Sequence, residues 1–207
     1  MRHGFSRLAI FSACVVALVA QTSITPPARA QGDVKGANAD SATNRISISP
    51  VVVFGGTTVI TGAGSELVRA KGGVYMDLHT QGLTPGIVAT AWWVFFNNPA
   101  ACATDPCSGD DFPNPAVEAS VLYAAGRVVG PDGALDIGAF RAAGDTTGAN
   151  FGPGLLDPKR AQIHLVVRSH GPALLGDPAA LAAQLTTFNG GCPPNACGNV
   201  QASVHEP

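Results

Sequence analysis

The stretch Ile87–Phe96, IVATAWWVFF, decides the fold of this chain. It contains no charged residue and is apolar at both odd and even positions, which is typical of a strand covered on both faces. We therefore predict that it lies at the centre of a sheet. Trp92 and Trp93 should point to opposite faces, because successive side chains of a strand alternate. We expect one tryptophan in the core and the other beside a surface groove or under the loop that follows.

Further candidate strands lie at short intervals on both sides of this central stretch. Residues 74–79 and 162–170 alternate apolar and polar side chains, as half-buried strands do. Turn sequences separate the strands: GLTPG at 82–86 precedes the central strand, and GPDG at 130–133 predicts a hairpin. The remaining candidate strands are 46–54, 57–61, 118–129, 134–140 and 199–205.

One helix is predicted near residues 177–187, with Asp177 as its N-cap and Pro178 at its first position. Many short strands and a single late helix predict a mainly β fold, specifically an antiparallel β-sandwich. We assign residues 45–207 to this single domain. Residues 31–44 are small and polar and are expected to form a flexible mature N-terminus.

Residues 1–30 have the pattern of a secretory signal peptide. A basic start precedes the apolar run 8–20, and Ala28 and Ala30 supply small residues at a cleavage site. A helix of that run rises about 20 Å, which is too short for a hydrocarbon core of about 30 Å. A retained N-terminal anchor and a lipoprotein site at Cys14 are the alternatives. We expect export to the periplasm or to the medium.

Processing changes the charge of the chain. Removal of residues 1–30 takes away Arg2, Arg7 and Arg29 and no acid, so the formal net charge falls from −2 to about −5. An acidic protein without a basic surface is a poor partner for nucleic acid or for anionic membranes. No later segment is long and apolar enough to span a membrane. We therefore expect an extracellular or periplasmic ligand of unknown chemistry.

The four cysteines outside the signal peptide form two similar local pairs. The sequences CATDPC at 102–107 and CPPNAC at 192–197 each place four residues between the cysteines. An even number of cysteines in an oxidising compartment predicts disulfides. The pairing Cys102–Cys107 and Cys192–Cys197 is the simplest of three connectivities. A four-thiolate zinc site is the competing interpretation.

Histidines on predicted strands are the candidate metal ligands. Imidazole groups on neighbouring strands suit copper or zinc, although each histidine could instead have a structural or surface role. His164 and His170 share a strand face about 20 Å apart, so a shared site requires a bend or a ligand from another strand. The candidate ligands are His79, His164, His170 and His205.

The loop at 105–114, DPCSGDDFPN, concentrates oxygen ligands. Asp105, Asp110, Asp111 and Asn114 could bind calcium, which ranks behind copper and zinc because the spacing lacks the EF-hand pattern. The alternative is a loop whose carboxylates cap their own backbone.

Arg168 projects from the strand face that carries His164 and His170. It could bind an anionic ligand beside Trp92 in a groove, but we favour a pair with Asp77 or Glu118 across the sheet.

Signals for catalysis are weak. No GxSxG sequence is present, and Ser169 and His170 point to opposite faces of their strand. Asp77, Glu118 and Asp136 lie in predicted strands, so a pair of carboxylates for glycoside hydrolysis stays open.

Several segments together resemble a group of bacterial exported proteins that carry no assigned activity. The resemblance covers most of residues 72–205 and implies a single exported domain without implying a reaction. The turn GLTPG, which enters an aromatic strand, is similar to turns in chordin-type extracellular sandwich modules, whose His-rich strand motifs do not align here. The segments that carry the main resemblance are HTQGLTPG (79–86), WWVFFNNPAAC (92–102), NPAVEASVLYAAGRVVG (114–130), GPGLLDPKRAQIHLVVRSHGP (152–172) and TFNGGCPPNACGNVQASVH (187–205).

The sequence thus favours a non-enzymatic exported binding or interaction module. A histidine-dependent copper or zinc protein is the second hypothesis, and an extracellular hydrolase is the third.

Overall fold

The central stretch forms a strand with the bounds that its apolar pattern predicts. All ten residues of Ile87–Phe96 are buried. A computed structural model describes residues 44–207, and the predictions for the signal peptide (1–30) and for residues 31–43 of the mature N-terminus lie outside this part. The strands are β1 Arg45–Val53, β2 Val59–Ala70, β3 Gly73–Thr80, β4 Ile87–Phe96, β5 Ala119–Val128, β6 Leu135–Ala142, β7 Ala149–Phe151, β8 Gln162–Pro172 and β9 Gly198–His205, and the helix is α1 Pro178–Thr186.

The nine strands form one antiparallel sheet in the order β6-β3-β2-β1-β9-β8-β4-β5-β7. Strands hold 48% of the described residues, and α1 together with three 3₁₀ turns (Pro99–Ala101, Gly109–Asp111 and Pro115–Val117) holds 11%, so the mainly β class is confirmed. The predicted sandwich of two sheets is not confirmed, because all the strands belong to one curled sheet that forms a half-barrel. Asp177 accepts hydrogen bonds from Ala179 N and Ala180 N, and this N-cap starts the predicted helix.

A short connection forces the sheet to curl. β5 and β6 follow each other in the chain but lie seven places apart in the strand order. In a flat sheet, seven steps of about 4.8 Å would separate them by roughly 34 Å. The chain from Val128 to Leu135 spans at most about 25 Å. The sheet therefore curls until β5 and β6 contact each other.

The curled sheet encloses the main core on its inner face. Trp93 and Phe95 of β4 are fully buried there with side chains from both halves of the sheet. The others include Leu67, Met76, Leu78, Leu122, Ile137, Ile163 and Leu165.

The outer face carries a second, smaller apolar cluster on β4, β5 and β8. Trp92, Val94 and Phe96 belong to this cluster, so the two tryptophans do point to opposite faces. Elsewhere the outer face is open, because Ile46, Tyr75 and Phe140 on β1, β3 and β6 remain exposed.

Two elements differ from the sequence prediction. β2 continues to Ala70, well beyond the predicted 57–61, because residues 64–69 pair with both β1 and β3 although Gly62 and Gly64 weaken the strand pattern. β7 is a three-residue edge strand that no pattern indicated. No helix of the described residues is long and apolar enough to cross a membrane.

Candidate functional site

A cavity of about 200 Å³ lies on the outer face of the sheet. Its floor comes from two neighbouring strands, on which Val94 pairs with His164 and Trp92 pairs with Val166. The alternation of β4 and β8 turns these side chains outward together, while Trp93 and Leu165 point into the inner core. The residues around the cavity are predominantly aromatic or aliphatic; they include Phe54, Trp92, Val94, Phe96, Phe112, His164, Val166 and Phe188.

The first cysteine loop forms one wall of the cavity. Cys102 and Cys107 lie at disulfide bonding distance with their Cα atoms 5.5 Å apart. Phe112, a few residues later, stacks on Phe96 with the ring centroids 5.6 Å apart. Cys107 N donates to Gln162 Oε1 of β8 at 2.8 Å. The loop is therefore attached to the sheet both by packing and by a buried hydrogen bond.

Asp111 fixes the shape of this first loop from within. Its carboxylate accepts hydrogen bonds from Ala103 N at 2.6 Å, from Thr104 Oγ1 at 2.6 Å and from Ser108 N at 2.8 Å. The hydrogen bonds from Thr104 and Ser108 hold the pKa of Asp111 below its usual value. This arrangement matches the alternative of a self-capping loop. Asn114 likewise caps its own backbone at Ala116 N.

The segment after α1 forms the opposite wall. The ring of Phe188 meets Trp92 edge-on, with the centroids 4.9 Å apart. The guanidinium of Arg168 lies 4.0 Å from the centroid of the Phe188 ring. Such a cation–π contact holds an aromatic wall in a fixed orientation.

Arg168 does not pair with Asp77 or Glu118, so that prediction is wrong. Its guanidinium donates instead to three neutral oxygens, Phe188 O at 2.8 Å, Asn199 Oδ1 at 3.0 Å and Asn189 Oδ1 at 3.2 Å. The physical reason is topological: the segment 188–199 folds back over β8 and supplies these acceptors. Burial lowers the pKa of Arg168. Arg168 thus supports the cavity wall.

Trp92 is held by a chain of buried hydrogen bonds. Its Nε1 donates to Thr90 Oγ1 at 2.7 Å, and Thr90 Oγ1 lies 2.8 Å from His170 Nε2. His170 Nδ1 lies 2.9 Å from Gly190 O. A carbonyl only accepts, so His170 carries its proton on Nδ1 and accepts from Thr90 at Nε2. The floor of the cavity is therefore linked to the second cysteine loop.

His164 is the ionisable residue of the cavity lining. Its ring lies 5.0 Å from the Phe96 ring, centroid to centroid. Its Nε2 is buried and has no hydrogen-bond partner within residues 44–207. Burial lowers the pKa of His164 to about 4, so the imidazole is neutral at neutral pH. A neutral imidazole with an unused nitrogen adds hydrogen-bonding capacity beside an otherwise apolar space.

The four histidines proposed as metal ligands lie at separate places. His79 on β3 pairs with Asp136 on β6 at 2.6 Å near the surface. His205 on β9 lies on the inner side of the sheet, His164 on the outer side, and His170 beside the second cysteine loop. Among the described residues, no group of three metal-ligating side chains contains two of these histidines. The shared copper or zinc site stays a prediction that this geometry does not favour.

One cysteine pair does have a histidine beside it. Cys192 and Cys197 lie at disulfide bonding distance with their Cα atoms 5.9 Å apart. With His170 they form one of two groups in the described residues that could hold a metal ion; Cys102, Cys107 and Asp111 form the other. Sequence reasoning missed the first group, because nothing in the sequence shows that the end of β8 meets the loop at 192–197.

A serine–histidine contact exists but is buried. Ser65 Oγ lies 2.9 Å from His205 Nε2, and Ser47 Oγ lies 2.8 Å from His205 Nδ1. Burial, with the nearby Arg69 and His164, lowers the pKa of His205 to about 4, which makes it a weak base. Ser65 is 4% exposed. This network joins β1, β2 and β9 and serves the core.

The carboxylates considered for hydrolysis are divided between two depressions. Asp77 and Asp136 line a shallow one beside His79, whereas Glu118 lines another with Arg45 and Lys159.

Sequence reasoning also missed Phe112 and Phe188, which build the walls of the aromatic cavity. Their positions depend on the paths of loops over the sheet, and no local sequence pattern indicates those paths. No family model matches the chain, and no curated protein or solved structure gives a match to it.

Proposed function

We propose that this chain is an exported binding protein whose ligand is a small aromatic molecule held in the outer-face cavity. The observation that carries the proposal is the cavity itself, with Trp92, Phe96, Phe112 and Phe188 around it. Ligand sites are typically apolar concave spaces with few polar groups. His164 is the polar group placed to select among aromatic ligands.

The volume limits the size of the ligand. An engineered apolar cavity of about 150 Å³ in another protein binds benzene. A cavity of about 200 Å³ accommodates a single ring with a short substituent. An efficiency of about −0.5 to −0.7 kcal/mol per non-hydrogen atom lies within the general limits for small ligands, and for about nine atoms it corresponds to a Kd between about 20 µM and 0.5 mM.

The walls of the cavity are held in place, which favours a ligand-binding site over a simple packing defect. The Phe112 wall is closed by a disulfide and by the Asp111 hydrogen bonds, and the Phe188 wall is held by Arg168. A preformed site loses little conformational entropy when it binds its ligand. Two cysteine pairs at disulfide distance are compatible with export, and the sequence pattern of residues 1–30 supports the same location.

The test uses residues 31–207 and a panel of single-ring compounds. Toluene, phenol and p-cresol should give saturation-transfer NMR signals, and a three-ring hydrocarbon should give none. Val94→Phe fills the cavity from its floor and should abolish these signals. Val128→Phe, at a 42% exposed position of β5, adds the same side chain away from the cavity and is the matched control.

Two results would contradict the proposal. The first is equal binding by the Val94→Phe variant, which would place the ligand elsewhere. The second is the absence of signals from every single-ring compound with a protein whose circular dichroism shows a folded β domain.

A further inference from the structure

The end of β8 and the second cysteine loop bring three soft-metal ligands together. His170 Nδ1 lies 3.5 Å from Cys197 Sγ. The ligand atoms of His170, Cys192 and Cys197 all lie within 4.8 Å of one another. His170 is fully buried, and both cysteines are partly exposed. An ion could therefore reach the sulfur atoms from solvent while the imidazole stays fixed beneath them.

We propose that His170, Cys192 and Cys197 form a copper(I) site that is closed while the two cysteines are joined and opens when they are reduced. Two thiolates and one imidazole are a soft ligand set, which favours copper(I) or zinc. The group contains three ligands among the described residues, which suits copper(I) better than the four-coordinate zinc of structural sites. The site is independent of the aromatic ligand proposed for the cavity.

The reduction and binding steps balance with a dithiol as the reductant. The dithiol gives two electrons and two protons to the Cys192–Cys197 bond, which breaks into two thiols while the dithiol becomes a disulfide. Binding of copper(I) then releases both thiol protons to water, because thiolates are the ligands. The proton of His170 leaves Nδ1, and Nε2 takes up a proton in its place.

The surroundings of His170 suit this change of tautomer. Nε2 faces Thr90 Oγ1 at 2.8 Å. A hydroxyl oxygen can accept as well as donate, so Nε2–H can donate to Thr90 once Nδ1 binds the ion. A histidine ligand is usually oriented by a hydrogen bond at its other nitrogen, and Thr90 provides it here. Burial, and to a smaller extent the charge of Arg168, lowers the pKa of His170, and the same positive charge would partly offset the negative charge of two thiolates.

The loop is held against β8 without help from the disulfide. Asn195 Nδ2 lies 2.9 Å from His170 O and 2.9 Å from Pro172 O. Gln184 of α1 is fully buried and donates to the same two carbonyls. These contacts keep Cys192 and Cys197 beside His170 after the bond between them is broken.

The first cysteine loop supplies a natural control. Cys102, Cys107 and Asp111 also lie together, with the same spacing of the cysteines. Asp111, however, already accepts three hydrogen bonds and offers a hard oxygen in place of an imidazole. We expect no copper(I) site at this loop.

The experiment measures copper(I) transfer from a chromogenic chelator to residues 31–207, with ascorbate in every sample to keep the ion as copper(I). One sample is first reduced by a phosphine, which is oxidised to the phosphine oxide and then removed, and the other is left unreduced. The reduced protein should take up one ion per chain, and the unreduced protein should take up none. Cys192→Ser/Cys197→Ser should lose this uptake, and Cys102→Ser/Cys107→Ser should keep it. His170→Gln should weaken the affinity at least tenfold, because one of three ligands is lost.

Circular dichroism of the reduced protein accompanies each titration. Absence of uptake by the folded reduced protein would overturn the proposal, and so would uptake that survives Cys192→Ser/Cys197→Ser. Unfolding on reduction alone would overturn it as well, because the site requires the loop to remain on β8. None of these outcomes depends on binding of an aromatic ligand.

Discussion

The two faces of the curled sheet are closed in different ways. The inner face closes on itself, because curling brings side chains of β2, β3 and β6 against those of β4, β5 and β8. The outer face of β4 and β8 is covered by two loops and a helix from elsewhere in the chain. The inner cluster includes fully buried Trp93 and Phe95, whereas the outer cluster borders a cavity of about 200 Å³.

The difference follows from what covers each face. A sheet that curls supplies its own apolar partners at a regular spacing, so its interior can pack densely. Loops must also satisfy their own backbone groups, and they meet the sheet at a few aromatic contacts only. The structure fixes these loops with cysteine pairs, with Asp111 and with Arg168. Space for a ligand is therefore found on the outer face.

The largest expected effect comes from truncating an inner aromatic side chain. Phe95→Ala should lower the free energy of unfolding by about 3–5 kcal/mol, because it removes a fully buried ring from a closed core. Phe188→Ala, on the outer face, should cost about 1–2 kcal/mol, since this ring is only partly buried and borders existing space. Urea denaturation measures both. Equal losses would show that the two faces are packed alike.

The cysteine pairs should come second in magnitude. Each closes a loop with a sequence separation of five. Loop-closure entropy for so short a loop predicts a loss of about 2 kcal/mol for each double serine variant. Hydrogen bonds of Asp111 hold the first loop and hydrogen bonds of Asn195 hold the second, so both double serine variants should keep the cavity formed. Thermal unfolding gives the stabilities, and the NMR assay of ligand binding gives the state of the cavity.

The same comparison explains what could be predicted from the sequence. Local patterns of two to ten residues predict three features: the bounds of β4, the opposite directions of Trp92 and Trp93, and the start of α1 at Asp177. The pairing of the cysteines follows from their spacing. These features depend on neighbours in the chain, and the sequence contains those neighbours.

Features that depend on distant segments could not be predicted. The single curled sheet depends on β5 and β6 lying near opposite ends of the strand order. Other features depend on how loops cross the outer face. They are the hydrogen-bond partners of Arg168, the cavity walls formed by Phe112 and Phe188, and the contact of His170 with Cys197. Trp92 and His164, which line the cavity, were candidate site residues only because the alternation of their strands places them on one face.

A histidine buried on each face makes the comparison testable by pH. The pKa values of His205, on the inner side, and His164, on the outer side, both fall to about 4 through burial. An unfolded histidine titrates near 6.5. Between these values the unfolded chain binds more protons than the folded chain, so stability is highest above pH 6.5 and decreases as the pH falls toward 4.

In that window, each of these histidines changes the free energy of unfolding by at most about 1.4 kcal/mol per pH unit. Burial also lowers the pKa of His170, which adds to the slope of the unmodified protein. His205→Gln and His164→Gln should each reduce the slope, measured by urea denaturation at half-unit steps from pH 4.5 to 7. A phenol bound in the cavity stabilises the neutral ring of His164 further, so the reduction caused by His164→Gln should be at least as large with phenol present, whereas the reduction caused by His205→Gln should not change. A slope that neither variant changes would mean that both imidazoles are hydrated in the folded protein, and the outer cavity would then be a wet cleft and not an aromatic binding site.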